Sequence, residues 1–328
     1  MNKLLELFLG VTILTVCACS KKVDIAEQNK AVVLRAWEEV MNQGNLAAAE
    51  EIFAADYVYH TAGSPDLHGL EEGVKKPVSM FRTAFPNIHF IVEDMIAEGD
   101  KVAHRWTATG THKGEFMGIA PTDKQVTMTG IVISHMADGK VVEDWSESDK
   151  LGMLQQLGVV PAMERVDFTW GQSMESVTAA SVDTQANKAI YLREVEELWN
   201  QKNVDVADEI FATNLVNHDP AWPKVTGLES YKQWAAGWIA STPDMQIIIE
   251  DLIAEGDKVA GRWTSRWTDT AGAPGLPPTG KQITVTGIDI CRIADGRIVE
   301  RWWSKDILGG MQQLGVIPPL EQAGESSL

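Results

Sequence analysis

Along residues 25–42 the apolar positions Val33, Trp37, Val40 and Met41 recur at the spacing of one helical face, which predicts a helix there. Asn45 stands where it can cap a second short helix running through Phe53. A third helix is expected near 71–84, ended by Pro86, with Pro77 delaying its start or kinking it. The pattern then changes to strands at roughly 88–97, 101–112, 124–136 and 140–147, with Gly99-Asp100 and Asp138-Gly139 placed for hairpin turns. A short terminal helix at 150–157 stops at Gly158, with Pro161 just beyond. Helices followed by an antiparallel meander predict an α+β domain with its helices on one face of a curved sheet.

The same pattern then occurs a second time. "NKAVVLRAWEEVMNQGNLAAAEEIF" (29–53) matches "NKAIYLREVEELWNQKNVDVADEIF" (187–211), and "IAEGDKVA" (96–103) recurs unchanged at 253–260. The offset falls by one residue between these matches, and the loss is assigned to the third helix. "VVEDWSESDKLGMLQQLGVVP" (141–161) and "IVERWWSKDILGGMQQLGVIP" (298–318) share 12 of 21 positions, beyond chance periodicity. The expected organisation is a domain at 24–161, a Ser/Thr/Ala-rich linker at 162–186, a second domain at 187–319 and a fraying tail at 320–328.

The chain of 328 residues is long enough for two full cores, and its formal charge of −18 argues against nucleic acid and anionic lipid surfaces as partners. Residues 1–19 read differently: a Lys near the start, an apolar run from Leu7 to Val16 and the ending "VCAC" have the form of an export signal, too short to span a membrane. That ending resembles a bacterial lipobox with Cys19 as the lipidated residue. The expected location is therefore a membrane-anchored exported lipoprotein facing the periplasm or the cell surface. Only Cys17, Cys19 and Cys291 are present, so the mature chain would form no internal disulfide. Cys291, in a strand, reads as a small buried hydrophobe. The seven histidines are scattered, with no metal-ligand spacing, so neither metal nor cofactor is expected.

The last predicted strand carries the candidate chemistry. Glu143, Trp145 and Asp149 share one parity and return as Glu300, Trp302 and Asp306, whereas the other parity changes: Asp144 to Arg301, Ser146 to Trp303, Ser148 to Lys305. The unchanged face is expected to point inward. Arg105 and Arg262 are candidate partners for the glutamates. Asp149 and Asp306 lie just past the strand, and two roles stay open for them: general acid/base beside apolar walls, or a cap on the last helix. Trp106, Trp263, Trp145 and Trp302 read as core or pocket wall. Trp234 and Trp238, found only in the second copy, read as helical core.

The order His60, "RWTATGTHKGEFMGIAPT" (105–122), "ADGKVVEDW", Asp149, "QQLG" resembles the SnoaL-like polyketide cyclase (ester cyclase) family of the NTF2-like superfamily. "NHDP", "GRWT", "RIADGRIVERW", Asp306 and "QQLG" in the second copy are similar to the same family. The resemblance implies two tandem NTF2-like cones, each a curved antiparallel sheet and N-terminal helices around a hydrophobic pocket. It also implies ring closure by aldol chemistry without cofactor. The family's acid/base aspartate would fall on Asp149 and Asp306, with His60, His112 and Arg105, or His218 and Arg262, polarising the substrate. The family's His between the Glu and Trp of the last strand is replaced by Asp144 and Arg301, and Asp269 stands where the first copy has His112. Two readings follow: a catalyst acting on a small hydrophobic carbonyl compound, or a membrane-tethered binding module for a small hydrophobic ligand. NTF2-like domains commonly pair through their sheets, so the two copies are expected to form a pseudo-dimer within one chain.

Overall fold

The computed structural model describes residues 24–161, 183–221, 225–272 and 277–318. The stretch read as an export signal (with Cys19), most of the expected linker and the tail lie outside them. The first copy begins with helix α1 (Ile25–Arg35), capped by the Asp24 carboxylate accepting from the Ala26 N–H and continued by a π-helical stretch, Ala36–Asn42. After α2 (Ala49–Ile52) come strands β1 (Phe53–Thr61) and β2 (Leu67–His68) and helix α3 (Lys76–Ala84). Then follow β3 (His89–Glu98), β4 (Lys101–Thr111), β5 (Gln125–Ala137), β6 (Lys140–Ser148) and α4 (Lys150–Leu157). The second copy repeats this with α5 (Thr184–Arg193), α6 (Ala207–Ile210), β7 (Phe211–His218), β8 (Val225–Thr226), α7 (Leu228–Ser241), β9 (Gln246–Glu255), β10 (Lys258–Thr268), β11 (Gln282–Ala294), β12 (Arg297–Lys305) and α8 (Ile307–Leu314). Its first helix starts at Thr184, inside the stretch read as linker, because Asp183 caps it.

Each sheet has six strands, in the order β2-β1-β6-β5-β4-β3 and β8-β7-β12-β11-β10-β9. The later strands form the expected antiparallel meander, and the hairpin tips Gly99, Asp138-Gly139, Gly256 and Asp295-Gly296 all take positive φ. Strand β1, which runs parallel to β6, departs from the sequence expectation. The helix read through Phe53 is only Ala49–Ile52, and Asn45 does not cap it, since no side chain does.

The one-residue difference between the copies has a visible home. In the second copy α7 is a single helix, whereas in the first the same region starts as a π-helical turn, Glu71–Lys75, before α3. A π turn takes in one extra residue without breaking the helix, and Pro77, without an N–H, sits in the first turn of the α-helical part.

The two faces of each sheet do different jobs. One is covered by that copy's own helices, around Val33, Val40, Tyr57, Phe85, Phe90 and Trp106 in the first copy and Leu198, Trp199, Phe211, Tyr231 and Trp263 in the second. The other faces the other copy: Ile96, Ala103, Ile131 and Ile133 pack with Ile253, Ala260, Ile288, Ile290 and Trp302. Around this seam three pairs of polar contacts are repeated with the copies exchanged, whereas the Thr286 hydroxyl bond to Glu147 (2.5 Å) has no such counterpart among the described residues. Lys30 binds Glu255 (2.6 Å) and Lys188 binds Glu98 (2.7 Å). Lys258 binds Asp94 (2.8 Å) and Lys101 binds Asp251. Glu255 accepts from the Ala97 N–H and Glu98 from the Ala254 N–H.

Candidate functional site

The residues that recur in both copies gather on the seam, not inside the helix-covered cavities. His60 donates or accepts at both ring nitrogens, 2.7 Å from Asp66 and 2.7 Å from Glu143, and stacks on Trp145 at 5.3 Å. The Arg262 guanidinium of the other copy lies over the same Trp145 ring at 4.5 Å. In the second copy His218 contacts Glu300 (3.0 Å) and stacks on Trp302 at 5.4 Å, with Arg105 over that ring at 4.7 Å. Burial pushes the Glu300 carboxyl up, but His218 and Arg292 outweigh it and hold the pKa below its usual value.

This corrects the inward-face expectation. The unchanged parity of the last strand is turned toward the partner copy, because a seam shared by two similar halves constrains both in the same way. Glu143 pairs with His60 rather than Arg105, whose guanidinium sits on Trp302 across the seam. His60, His218, Arg105, Arg262, Glu143, Glu300, Trp145 and Trp302 thus line neither of the two cavities under the helices. Trp106 and Trp263, on the opposite parity of β4 and β10, do lie under the helices.

Asp149 and Asp306 serve as helix caps. The Asp149 carboxylate accepts from the Gly152 N–H (2.8 Å) and Asp306 from the Gly309 N–H (2.9 Å). At Gly309 an added Cβ would sit 2.0 Å from the Asp306 oxygen, so a glycine there lets the cap close. His112 and Asp269 hold the same loop in the two copies. His112 Nδ1 meets Thr122 Oγ1 at 3.1 Å, and Asp269 accepts from the Thr279 N–H and hydroxyl at 2.8 and 2.7 Å. Either side chain meets the need, which accounts for the exchange; burial holds the His112 pKa low.

The parity that changes between copies faces the helices, and there the chemistry differs. In the first copy Asp144 accepts from the Tyr57 hydroxyl (2.7 Å) and the Ser134 hydroxyl (2.5 Å), with Tyr59 beside it in register on β1. Burial raises the Asp144 pKa to about 7, against the pull of the two hydrogen bonds, and the nearby Glu143 charge adds to the rise. As a residue Asp144 is half-buried. In the second copy the place belongs to Arg301, 1% exposed, clamped between Glu194 and Asp289, the latter at 3.1 Å. Tyr57, Tyr59 and Ser134 were absent from the sequence-derived set. The alternation of "DYVYHT" was the available signal, hidden because the preceding helix was carried to its edge.

A cavity of about 210 Å³ in the first copy is lined by Phe81, Phe85, Ile88, Met128 and Met153 among others, and one of about 200 Å³ in the second by Glu194, Asp289, Arg301 and aromatic rings. Those volumes include open solvent, and each cavity itself has room for about one water molecule, far below the ~300–1,000 Å³ of ordinary ligand pockets. Among the described residues no group of His, Cys, Asp and Glu could hold a metal ion.

Among curated proteins no relative matches the chain. Solved structures similar to one copy include a provisionally designated SnoaL-like polyketide cyclase of Jannaschia sp. CCS1 (24% identity, 43% of this chain and 98% of that one, TM-score 0.40). Others are IdmH, a provisionally designated polyketide cyclase of Streptomyces antibioticus (33%, 40% and 99%, TM-score 0.34), and TsrD of Streptomyces laurentii (25%, 42% and 100%, TM-score 0.38). The family model for SnoaL-like polyketide cyclase matches residues 31–157 and again 189–314, most of the chain. The protein therefore belongs to the SnoaL-like polyketide cyclase family and carries its domain twice.

Proposed function

We propose that the protein is a cofactor-free acid–base catalyst of the polyketide-cyclase type, acting on a small hydrophobic carbonyl compound through its first copy. The observation that carries this reading is Asp144, a carboxyl whose pKa burial raises to about 7, held by Tyr57 and Ser134 under the helices. Near neutral pH such a group can remove the proton beside a carbonyl and return it to the oxygen of the new carbon–carbon bond, leaving no net proton change. Asp144 takes this role in place of Asp149, whose lone pairs serve α4. Arg301 at the same place in the second copy cannot exchange a proton at any working pH, so the second copy supports the first.

A second reading, the binding module, is favoured by the apolar cavity of the first copy, whose lining holds no titratable group. One experiment separates the two. The purified chain is offered small diketones while their absorbance and their binding are followed. Catalysis predicts turnover that rises as pH passes about 7, and loss of about 100-fold or more in Asp144→Asn with binding kept. Binding without turnover in the unaltered protein would favour the second reading. We also propose export and anchoring through lipid on Cys19. Among the described residues no helix is long and apolar enough to cross a membrane, so attachment would rest on that lipid, and Cys19→Ser should move the protein from the detergent to the aqueous phase.

A further inference from the structure

The seam face of the first copy carries a run of alternating carboxylates and imidazoles. His60 Nδ1 lies 2.7 Å from Asp66 and Nε2 lies 2.7 Å from Glu143. The other Glu143 oxygen lies 3.7 Å from His135 Nδ1, and His135 Nε2 lies 2.9 Å from Asp100. The run thus spans the face from the β1–β2 loop, across β6 and β5, to the β3–β4 turn. All five side chains are partly or largely exposed. A neutral imidazole has one N–H and one lone pair. At His60 both nitrogens face carboxylate oxygens, so only the imidazolium donates on both sides; a neutral ring sets a lone pair against an oxygen. The second copy begins the same way, with His218 at 3.0 Å from Glu300, but holds Arg292 in place of His135, 3.4 Å from the other Glu300 oxygen. These three residues are buried. Asp257 Oδ2, the counterpart of the Asp100 oxygen that meets His135, has no hydrogen-bond partner. A permanent cation there holds Glu300 and leaves that Asp257 oxygen untied.

We propose that Asp66, His60, Glu143, His135 and Asp100 form a proton-operated latch that ties the β1–β2 loop and the β3–β4 turn to the seam face of the first copy. The latch is closed while both rings are protonated and releases as pH rises through the range in which histidine changes charge, about pH 5 to 8. The charges around it are committed elsewhere or set apart. Trp145 separates His60 from Arg262 of β10, and Lys150 at the start of α4 bonds the Thr61 hydroxyl at 3.0 Å. Asp144 lies on the other face of β6, bonded to Tyr57, and His68 on β2 stands opposite Val58. Lys101 opposes His135 in register on β4 and is bound to Asp251, while Asp138 follows in the β5–β6 turn. Three carboxylates against two imidazoliums leave one negative charge, so protonating both rings relieves repulsion among the acids. The latch reaches the seam through Lys101, which follows Asp100 directly and carries the bridge to Asp251 of the other copy. It holds whether or not Asp144 is catalytic.

The test compares two turns of identical sequence in one chain. Because "IAEGDKVA" occurs in both copies, the amides of 99–101 and 256–258 share their intrinsic exchange rates, and the ratio of the two removes the direct effect of pH. Amide exchange followed by NMR on the whole chain should show the first turn's rate, relative to the second's, rising about threefold or more between about pH 5.5 and about pH 8. His135→Arg, which copies the second half, should flatten that rise, and so should Asp100→Asn. Both side chains are partly or largely exposed, so the fold is kept. Labelled histidine nitrogens give a second readout: at about pH 5.5 both His60 nitrogens should carry a proton. A ratio constant with pH in the unaltered protein, a rise that survives both substitutions, or a His60 ring with a single N–H at about pH 5.5 would each overturn the latch.

Discussion

At the scale of single residues, the copies differ in compensating pairs. Tyr57 on β1 packs against Gly73, where an added Cβ would meet its ring at 2.9 Å; the second copy has Leu215 and Tyr231 at these places, so the ring comes from the helix instead of the strand. Likewise the first copy has His104 and Val33 where the second has Gly261 and Tyr191, and Gly261 leaves room for the Tyr191 hydroxyl, which would lie 2.1 Å from a Cβ there. Gly261→Ala should accordingly cost about 1–3 kcal/mol in urea unfolding, and adding Tyr191→Val should recover part of it despite losing the bond to Asp289. Ionisation gives a second prediction. Burial, together with the Asp306 charge, raises the Glu147 pKa to about 8, although Thr286, Lys150 and Arg262 oppose the rise; Asp144 stands at about 7. Below about pH 4 folded and unfolded chains both hold these protons. Above it the unfolded chain releases them first, so their contribution makes stability fall as pH rises and level off beyond about 8. Unfolding free energies at pH 5 and 8 should show a smaller difference in Asp144→Asn and in Glu147→Gln than in the parent.

At the scale of elements, the hairpin turns, the meander and the terminal helices were legible because short local patterns decide them. Strand β1 was not, since nothing nearby in the chain pairs with it except the two-residue β2; its long partner β6 arrives some eighty residues later. The π turn before α3 was equally hidden. Only the loss of one residue between the repeats pointed to that helix, and Pro77 disguised which part would absorb it. Trp234 behaved as expected, packing beside Tyr231 and Trp199 in the second core, and Cys291 is fully buried.

At the scale of the whole molecule, the reciprocal contacts lead us to propose that one chain does what a symmetric dimer does elsewhere, and remains a monomer in solution. Sedimentation should give the mass of one chain. A protease site placed within 162–182 should leave two halves that still co-elute, held by the isoleucine-rich seam. Trp302→Ala, which removes a fully buried ring contacted by His218 and Arg105, should cost about 3–5 kcal/mol and let the cut halves separate. Recovery of tightly bound dimers of the intact chain would count against this arrangement.

The sequence alone determined the repeat, the order of most elements, the family and the pairing of like residues between copies, because each rests on local pattern or on direct identity. It could not decide what the identities were for. Glu143, Trp145 and their counterparts looked like a pocket because an inward face conserves its residues, but a seam between two similar sheets does so too. The direction of each face depends on where the other copy sits, and that is set by contacts between residues far apart in the chain. The same holds for Asp144 and Arg301. Their exchange looked like surface drift until the helices closed over them, and burial turned one into a carboxyl with a pKa near neutrality and the other into a clamped cation.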